Sequence, residues 1–248
     1  MNFEDQPLFE AFQYVLARAL PSTAPPIRFA AKTLFSSMND FPLASLCNCM
    51  HKSERMVMTG VALDLIRVGF RRLHTSVDRA DAQDFDCGTG AKVLLGDYLS
   101  TGAFKLMVEL GDLNTMRLVS DAVTTTCEKD AYAIGTVDVA FHEKSASAPL
   151  GFVAGVLGAT AAGYKEPRVR LYGTAAQMWA ETHALLDACK RLHVKEALLD
   201  LLSVAQASCV QASARSALLA EFGRPKPFSP IEKSITYELR NAHMRARS

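Results

Sequence analysis

The segment at residues 54–79 repeats apolar side chains near helical spacing, and this pattern constrains the fold more than any other. Its apolar positions include Met58, Val61, Leu65, Val68, Leu73 and Val77. Residues three or four apart lie on one face of an α-helix, so the spacing predicts a helix with a buried side. The sequence shows neither a strand pair with a turn signature nor an internal repeat. It therefore predicts an all-α chain.

Further helices are predicted along the chain, separated by short polar or proline-bearing loops. They cover residues 6–20, 27–38, 91–110, 115–139, 148–162, 172–192, 194–207 and 213–222. The 91–110 helix is expected to turn Leu95, Leu99, Phe104, Leu106 and Leu110 inward. The 148–162 helix is rich in small residues, which predicts close packing on its neighbours. Helices of this length joined by short loops form an antiparallel bundle.

The predicted organisation is one main helical domain at residues 51–222, flanked by two smaller segments. Residues 1–50 are predicted to form an N-terminal helical arm. Residues 223–248 carry prolines and basic side chains and are predicted to form a tail.

The composition predicts a globular protein and argues against a nucleic-acid-binding or membrane-spanning one. The 248 residues are 49% apolar and 21% charged, which is ordinary for a globular protein. A net charge of +1 creates no field that would attract nucleic acid. The sequence contains no uncharged apolar stretch of about 18 residues, so it predicts no transmembrane helix. Glu4, Asp5 and Glu10 precede Arg18, a poor match to a secretory signal or an organelle presequence.

The six cysteines do not form a metal motif. They are Cys47, Cys49, Cys87, Cys127, Cys189 and Cys209, and no Cys-x-x-Cys pair occurs among them. We interpret them as buried, reduced thiols on helices.

Several short motifs follow one another in a familiar order. Leu73-His74 ends one predicted helix, and Leu-Gly-Asp-Tyr-Leu at 95–99 lies in the next, with Ala103 after it. His-Glu-Lys-Ser-Ala at 142–146, Leu-Gly-Ala-Thr-Ala-Ala-Gly at 157–163 and Ser-Ala-Arg-Ser-Ala-Leu at 213–218 come later. Over roughly residues 27–222, this series resembles the long-chain polyprenyl diphosphate synthases. The resemblance implies an antiparallel helix bundle of the isoprenoid-synthase type.

The resemblance also implies a metal site that this sequence does not reproduce. In the family, two aspartate-rich segments bind Mg²⁺ ions that bridge the substrate diphosphate, and Mg²⁺ requires oxygen ligands. Here the first segment reads Thr75-Ser76-Val77-Asp78-Arg79, and Asp78 is turned by about 100° on a helix from the expected register. The second reads Thr-His-Ala-Leu-Leu-Asp at 182–187, where only Asp187 resembles a ligand. We therefore expect no metal site and no catalytic residue.

Other candidate residues carry alternative interpretations. Asp78, Asp81 and Asp84 could hold a cation, but a solvated acidic loop is the preferred interpretation. Glu181 and His183 could be metal ligands, but surface or bundle-polar residues are the preferred interpretation. We interpret His74 as a buried histidine and Asp97 as a structural hydrogen-bonding residue. Gly96 is expected to permit close helix contact. Lys144 matches a family residue that touches diphosphate, so it is the one predicted substrate-binding residue. The alternative interpretation is a structural ion-pair member or a remnant of ancestry.

Within the family, this combination resembles the second subunit of heteromeric decaprenyl or solanesyl diphosphate synthases. The resemblance implies a non-catalytic subunit that supports ubiquinone side-chain synthesis in mitochondria. Its partner would be a catalytic synthase subunit, and Mg²⁺ is expected only there; no other cofactor is expected.

Two alternatives remain open. One is a structural subunit of a larger mitochondrial complex that docks through the tail at 223–248. The other is an active prenyltransferase with an unusual metal site.

A separate expectation concerns assembly. Phe104, Leu106, Met107 and Val108 occupy more of the helix circumference than one core stripe needs, which indicates two buried faces. We expect Met107→Asp to break a dimer while leaving the monomer helical.

Overall fold

A computed structural model describes residues 7–21, 24–37, 40–74, 88–133 and 139–192, and all regular structure among them is helical. The helices are α1 Leu8–Ala19, α2 Pro25–Leu34, α3 Pro42–Met50, α4 Glu54–Val68, α5 Thr89–Leu110, α6 Leu113–Ala133, α7 Val139–Ala161 and α8 Arg168–Leu192. A π-helical segment, Gly69–His74, continues directly from α4.

Most predicted helices are confirmed, with shifted ends. The sequence did not predict α3, whose first residue, Pro42, is suited to the opening turn of a helix. The long prediction at 54–79 becomes α4 followed by the π-helical segment. Helix α7 begins at Val139, well before the predicted start at residue 148. The predicted helices at 194–207 and 213–222, and the tail at 223–248, lie outside the described residues.

The chain divides into two compact units, Met1–Val123 and Thr124–Ser248. In the first unit, α4 is the central helix and contacts α1, α3 and α5. Every residue of α4 from Met56 to Val68 is buried, so this helix has no solvent face beyond its first two residues. In the second unit, α7 and α8 form an extensively packed pair. The predicted boundary at residue 50 stays a prediction.

A buried ion pair joins α4 to the start of α3. Arg67 Nε donates to Asp64 Oδ1 at 2.8 Å, and both side chains are almost completely excluded from solvent. The other Asp64 oxygen accepts the Ala44 N–H at 2.8 Å, and Arg67 Nη2 donates to the Asp40 carbonyl at 2.7 Å. Asp64 thus caps the N-terminus of α3, where unpaired N–H groups favour a negative charge.

The π-helical segment after α4 approaches α5 closely at Gly69. A Cβ atom on Gly69 would lie 3.0 Å from the Gly96 carbonyl oxygen. Ser100 Oγ donates to the same carbonyl at 3.0 Å. The Gly96 carbonyl thus lies at a close helix contact with Gly69, while the requirement for glycine at position 96 itself stays a prediction.

The α7–α8 pair shows the close packing that was predicted for the small-residue helix. A Cβ atom on Gly155 would lie 2.5 Å from the Tyr172 carbonyl oxygen and 2.6 Å from the Ala176 Cβ. Both distances are shorter than van der Waals contact, so only glycine allows the two backbones to approach this closely. Residues 148–159 of α7 are buried apart from the half-buried Pro149, Phe152 and Val156.

None of the described helices is both long enough and apolar enough to span a membrane.

Removing the buried carboxylate should destabilise the first unit strongly. We expect Asp64→Ala to lower the free energy of unfolding by about 3–5 kcal/mol, because Arg67 would be left buried and uncompensated. Urea denaturation followed by circular dichroism measures this. Glu128→Ala, at an exposed position on α6, is the control and should change stability by less than about 0.5 kcal/mol. Equal effects of the two changes would contradict the assigned role of Asp64.

A single methyl group should disturb the α7–α8 contact. We expect Gly155→Ala to destabilise the protein by about 1–3 kcal/mol, because the added Cβ collides with α8 and this outweighs the better helix propensity of alanine. Gly90→Ala is the matched control, since nothing lies within 4 Å of a Cβ at that position. That control should be neutral or slightly stabilising. Unfolding of both variants at the same urea concentration would contradict the close α7–α8 contact at Gly155.

Candidate functional site

The first expected metal segment begins where the π-helical turn ends. Leu73 is fully buried there and anchors the end of that turn. The backbone of His74 belongs to the same turn, while its side chain is not among those described. The candidate positions that follow lie outside the described residues; they are Thr75, Ser76, Asp78, Arg79, Asp81 and Asp84.

The second expected segment lies in α8. His183 is half-buried and its ring lies against Trp179, with the ring centroids 5.3 Å apart. Ala184, the next residue, is buried. One turn earlier, Gln177 Nε2 donates to Glu181 Oε1 at 3.4 Å. These contacts agree with the interpretation of Glu181 and His183 as polar residues within the bundle.

Two side chains of the second expected segment are described, His183 and Ala184, and neither is a carboxylate. Magnesium is bound through oxygen ligands in octahedral geometry, supplied mainly by carboxylates, phosphates and water. Among positions 177–184 of the described side chains, Glu181 is the one carboxylate, and Ala184 offers no donor atom. No group of three or more His, Cys, Asp or Glu side chains within the described part of the chain is arranged to hold a metal.

Lys144, the predicted substrate-binding residue, lies in the first part of α7. Its side chain is not among those described, so its role stays a prediction. Further along the same helix, Gly155 of α7 faces Ala176 of α8, and Gly151 faces Ala180.

The Gly-Asp motif of α5 presents its two residues differently. Gly96 is buried at the contact with Gly69, whereas Asp97 is exposed. Thr101 Oγ1 donates to the backbone carbonyl of Asp97 at 2.8 Å, one turn further along the helix. The motif therefore contributes a packing residue and a solvent-facing carboxylate.

The expected inward stripe of α5 is partly wrong. Leu95, Leu99 and Leu106 are buried as predicted, but Phe104 is 44% exposed. The two apolar neighbours also differ, because Met107 is 1% exposed and Val108 is 67% exposed. Met107 therefore belongs to the core of the monomer, and the expectation that Met107→Asp spares the monomer is corrected. Successive residues of a helix are separated by about 100°, which turns Val108 outward when Met107 points inward.

Burial makes the thiols of Cys47 and Cys49 unreactive near neutral pH. Cys47 is buried in α3, and burial raises the pKa of its thiol well above the ordinary range. Burial also raises the pKa of the Cys49 thiol to about 12. A thiol is nucleophilic only as the thiolate, so neither residue serves as a nucleophile near neutral pH. Cys127 is exposed, which differs from the predicted burial.

No protein-family model matches the chain, and no curated protein sequence matches it. Solved structures do match. A geranyltranstransferase from Methanosarcina mazei is similar with a TM-score of 0.72 and 13% identity, covering 97% of this chain and 99% of that one. A decaprenyl diphosphate synthase from Rhodobacter capsulatus is similar with a TM-score of 0.70 and 14% identity, covering 95% and 96%.

A third similar structure is a deletion mutant of the heterotetrameric geranyl pyrophosphate synthase from mint. Its TM-score is 0.54 at 12% identity, with 82% of this chain and 90% of that chain covered. At such low identity these likenesses define the fold. The chain has the isoprenoid-synthase fold, as the sequence predicted.

Sequence reasoning missed two features of the described residues. One is the Asp64–Arg67 pair, although two charged residues three apart in an otherwise apolar segment were a usable signal. The other is the Trp179–His183 contact at i and i+4, a spacing that places side chains together on a helix.

Met107 and Val108, two consecutive residues, allow a direct test of which side of α5 faces the core. We expect Met107→Asp to unfold the protein or cost more than about 4 kcal/mol, because it would bury an unpaired charge. Val108→Asp, the same new side chain one residue later, should keep the helical circular dichroism spectrum and cost less than about 1 kcal/mol. Circular dichroism and urea titration of both variants measure the difference. Similar losses of stability would contradict the described orientation of α5.

Proposed function

We propose that this chain is a non-catalytic subunit of a heteromeric long-chain polyprenyl diphosphate synthase. Its role would be to support a catalytic subunit that makes the polyprenyl side chain of ubiquinone, in mitochondria. The observation that carries the proposal is the combination of an isoprenoid-synthase fold with Ala184 and a Trp179-packed His183 in the segment where magnesium ligands are expected.

The chemistry of prenyl transfer explains why this observation matters. Loss of the diphosphate from an allylic substrate builds negative charge on the leaving group, and that charge must be stabilised in the transition state. Divalent metals held by carboxylates supply the stabilisation in metal-dependent phosphate chemistry. A buried methyl group and a histidine packed on tryptophan supply no anchor for such a metal. The described part of α8 therefore favours a supporting role.

The assembly partner is inferred from the relatives. The mint structure belongs to a heterotetrameric synthase, which supports a heteromer for a chain of this fold. The sequence resemblance to the second subunit of decaprenyl or solanesyl synthases supports a long-chain product and the link to ubiquinone. Lys144 is the residue of this chain that we propose to contact the diphosphate.

The proposal is tested by a prenyl-elongation assay on purified proteins. This chain is incubated with allylic diphosphate, isopentenyl diphosphate and Mg²⁺, alone and after co-purification with a catalytic synthase subunit. We expect no product from the chain alone and a gain in product when both subunits are present. A partner whose aspartate-rich segments are replaced by alanines should give no product with this chain, which locates the chemistry in the partner.

Two results would overturn the proposal. Product formed by this chain alone would identify an active prenyltransferase with an unusual metal site. A partner that makes the same amount of product with and without this chain would remove the supporting role. Lys144→Ala and Lys144→Arg in the active heteromer then examine the diphosphate contact, where alanine should raise KM and arginine should partly restore it.

A further inference from the structure

Helix α2 packs on the first unit along one side only. Its buried side consists of Ala30, Ala31 and Leu34. Phe35, which follows its last residue, is fully buried, and the Phe35 carbonyl accepts a hydrogen bond from Gln13 Nε2 at 2.6 Å. The helix is thus held along its buried side and at its C-terminal end, and the other side is open to solvent.

The open side of α2 combines an aromatic ring with prolines and basic side chains. It carries Pro25, Pro26, Arg28, Phe29 and Lys32, all of them exposed. We call these residues the free face of α2. Phe29 is 70% exposed. Residues three or four apart share one side of a helix, so Phe29 lies between the two prolines and Lys32.

The free face of α2 is cationic. Neither Arg28 nor Lys32 takes part in the ion pairs of the described residues. Along the sequence, no aspartate or glutamate occurs between Glu10 and Asp40, so α2 itself contains no acidic residue. The charges of Arg28 and Lys32 are therefore available to an anionic partner.

An exposed aromatic ring beside basic side chains matches the chemistry of an anionic lipid surface. Lipid phosphates attract Arg28 and Lys32, and the ring of Phe29 can enter the boundary between headgroups and acyl chains. Long basic side chains keep their charge among the headgroups while their methylene stems lie along apolar surface. An acidic protein would need an apolar pocket for Phe29 next to its carboxylates, whereas a lipid surface offers both environments everywhere.

From these observations we propose that the free face of α2 binds the surface of a membrane that contains anionic phospholipids. Phe29 inserts below the headgroups, and the buried side of α2 stays packed on the protein. The binding goes beyond the proposed function, since it depends on α2 and not on a catalytic partner. Vesicle binding and prenyl elongation are separate measurements, so failure of either leaves the other proposal standing.

Charge reversal tests the electrostatic part of the proposal. The full-length protein is sedimented with vesicles of phosphatidylcholine alone and of phosphatidylcholine mixed with phosphatidylserine. We expect tighter binding to the mixed vesicles, and R28E/K32E should weaken it at least about tenfold, because each basic residue near an anionic surface contributes about fivefold. R117E/K165E makes the same change of charge at exposed positions outside α2, so this control should stay within about twofold of the unchanged protein.

The aromatic ring allows a test of insertion. The chain has one tryptophan, Trp179, and it is buried. In Phe29→Trp, phosphatidylserine-containing vesicles with brominated acyl chains should quench the added fluorescence, because bromine quenches rings that lie among the acyl chains. Phe104→Trp, at an exposed aromatic position of α5, is the control and should show no added quenching. Phe29→Ser should weaken vesicle binding at least about fivefold, because no apolar ring then leaves water.

Four results would overturn the inference. The unchanged protein would stay in the supernatant with both kinds of vesicle, or would bind both equally well. R117E/K165E would weaken binding as much as R28E/K32E, which makes net charge rather than α2 the cause. Phe29→Trp would bind vesicles without being quenched, which places the ring outside the lipid. Finally, binding of polyglutamate without binding of vesicles would assign the free face to an acidic protein partner.

Discussion

Close approach between helix backbones is the constraint on which both units depend. In each unit, a glycine stands where one helix crosses another, and a Cβ atom there would lie closer to the neighbouring helix than van der Waals contact allows. A Cβ on Gly60 of α4 would lie 2.3 Å from the Ala44 Cα of α3, and a Cβ on Gly155 of α7 would lie 2.5 Å from the Tyr172 carbonyl oxygen of α8. Because the helices lie this close, their backbone contacts determine which residues of one helix lie beside which residues of the other.

Loss of carboxylates and retention of the fold are therefore compatible. The α7–α8 crossing depends on Gly151, Gly155, Ala176 and Ala180, none of which would bind a metal. The segment at 182–187 can change its chemistry without disturbing that contact. Trp179 and His183 illustrate the result, because they pack together in a part of α8 where the resemblance implied magnesium ligands. A chain of this fold can therefore vary at these positions and keep the packing between α7 and α8.

Helical periodicity and the order of the motifs were enough to predict the fold, but not the side that each residue faces. Seven of the eight described helices were expected, because their apolar spacing is long and regular. The short, almost completely buried α3 lacks a polar side and so shows little periodicity. Phe104 was expected in the core and Met107 at a dimer contact, but the structure exposes Phe104 and buries Met107. Hydrophobicity alone does not show which side of a helix faces the core. At the candidate site, the sequence shows one carboxylate, Asp187, within 182–187. The i and i+4 spacing of Trp179 and His183 permits their contact, but the ring geometry depends on rotamers that spacing alone does not fix.

The capping of α3 by a residue from another helix has a consequence for how the first unit forms. Helix α3 is only nine residues long, and no side chain at its own start caps it. Short helices of this kind are marginal in isolation, because nucleating them costs more than a few hydrogen bonds return. The cap, Asp64, arrives only when α4 has formed and docked. Helices α3 and α4 should thus open and close together in native-state hydrogen exchange, as one cooperative unit whose opening exposes both sets of amides at once.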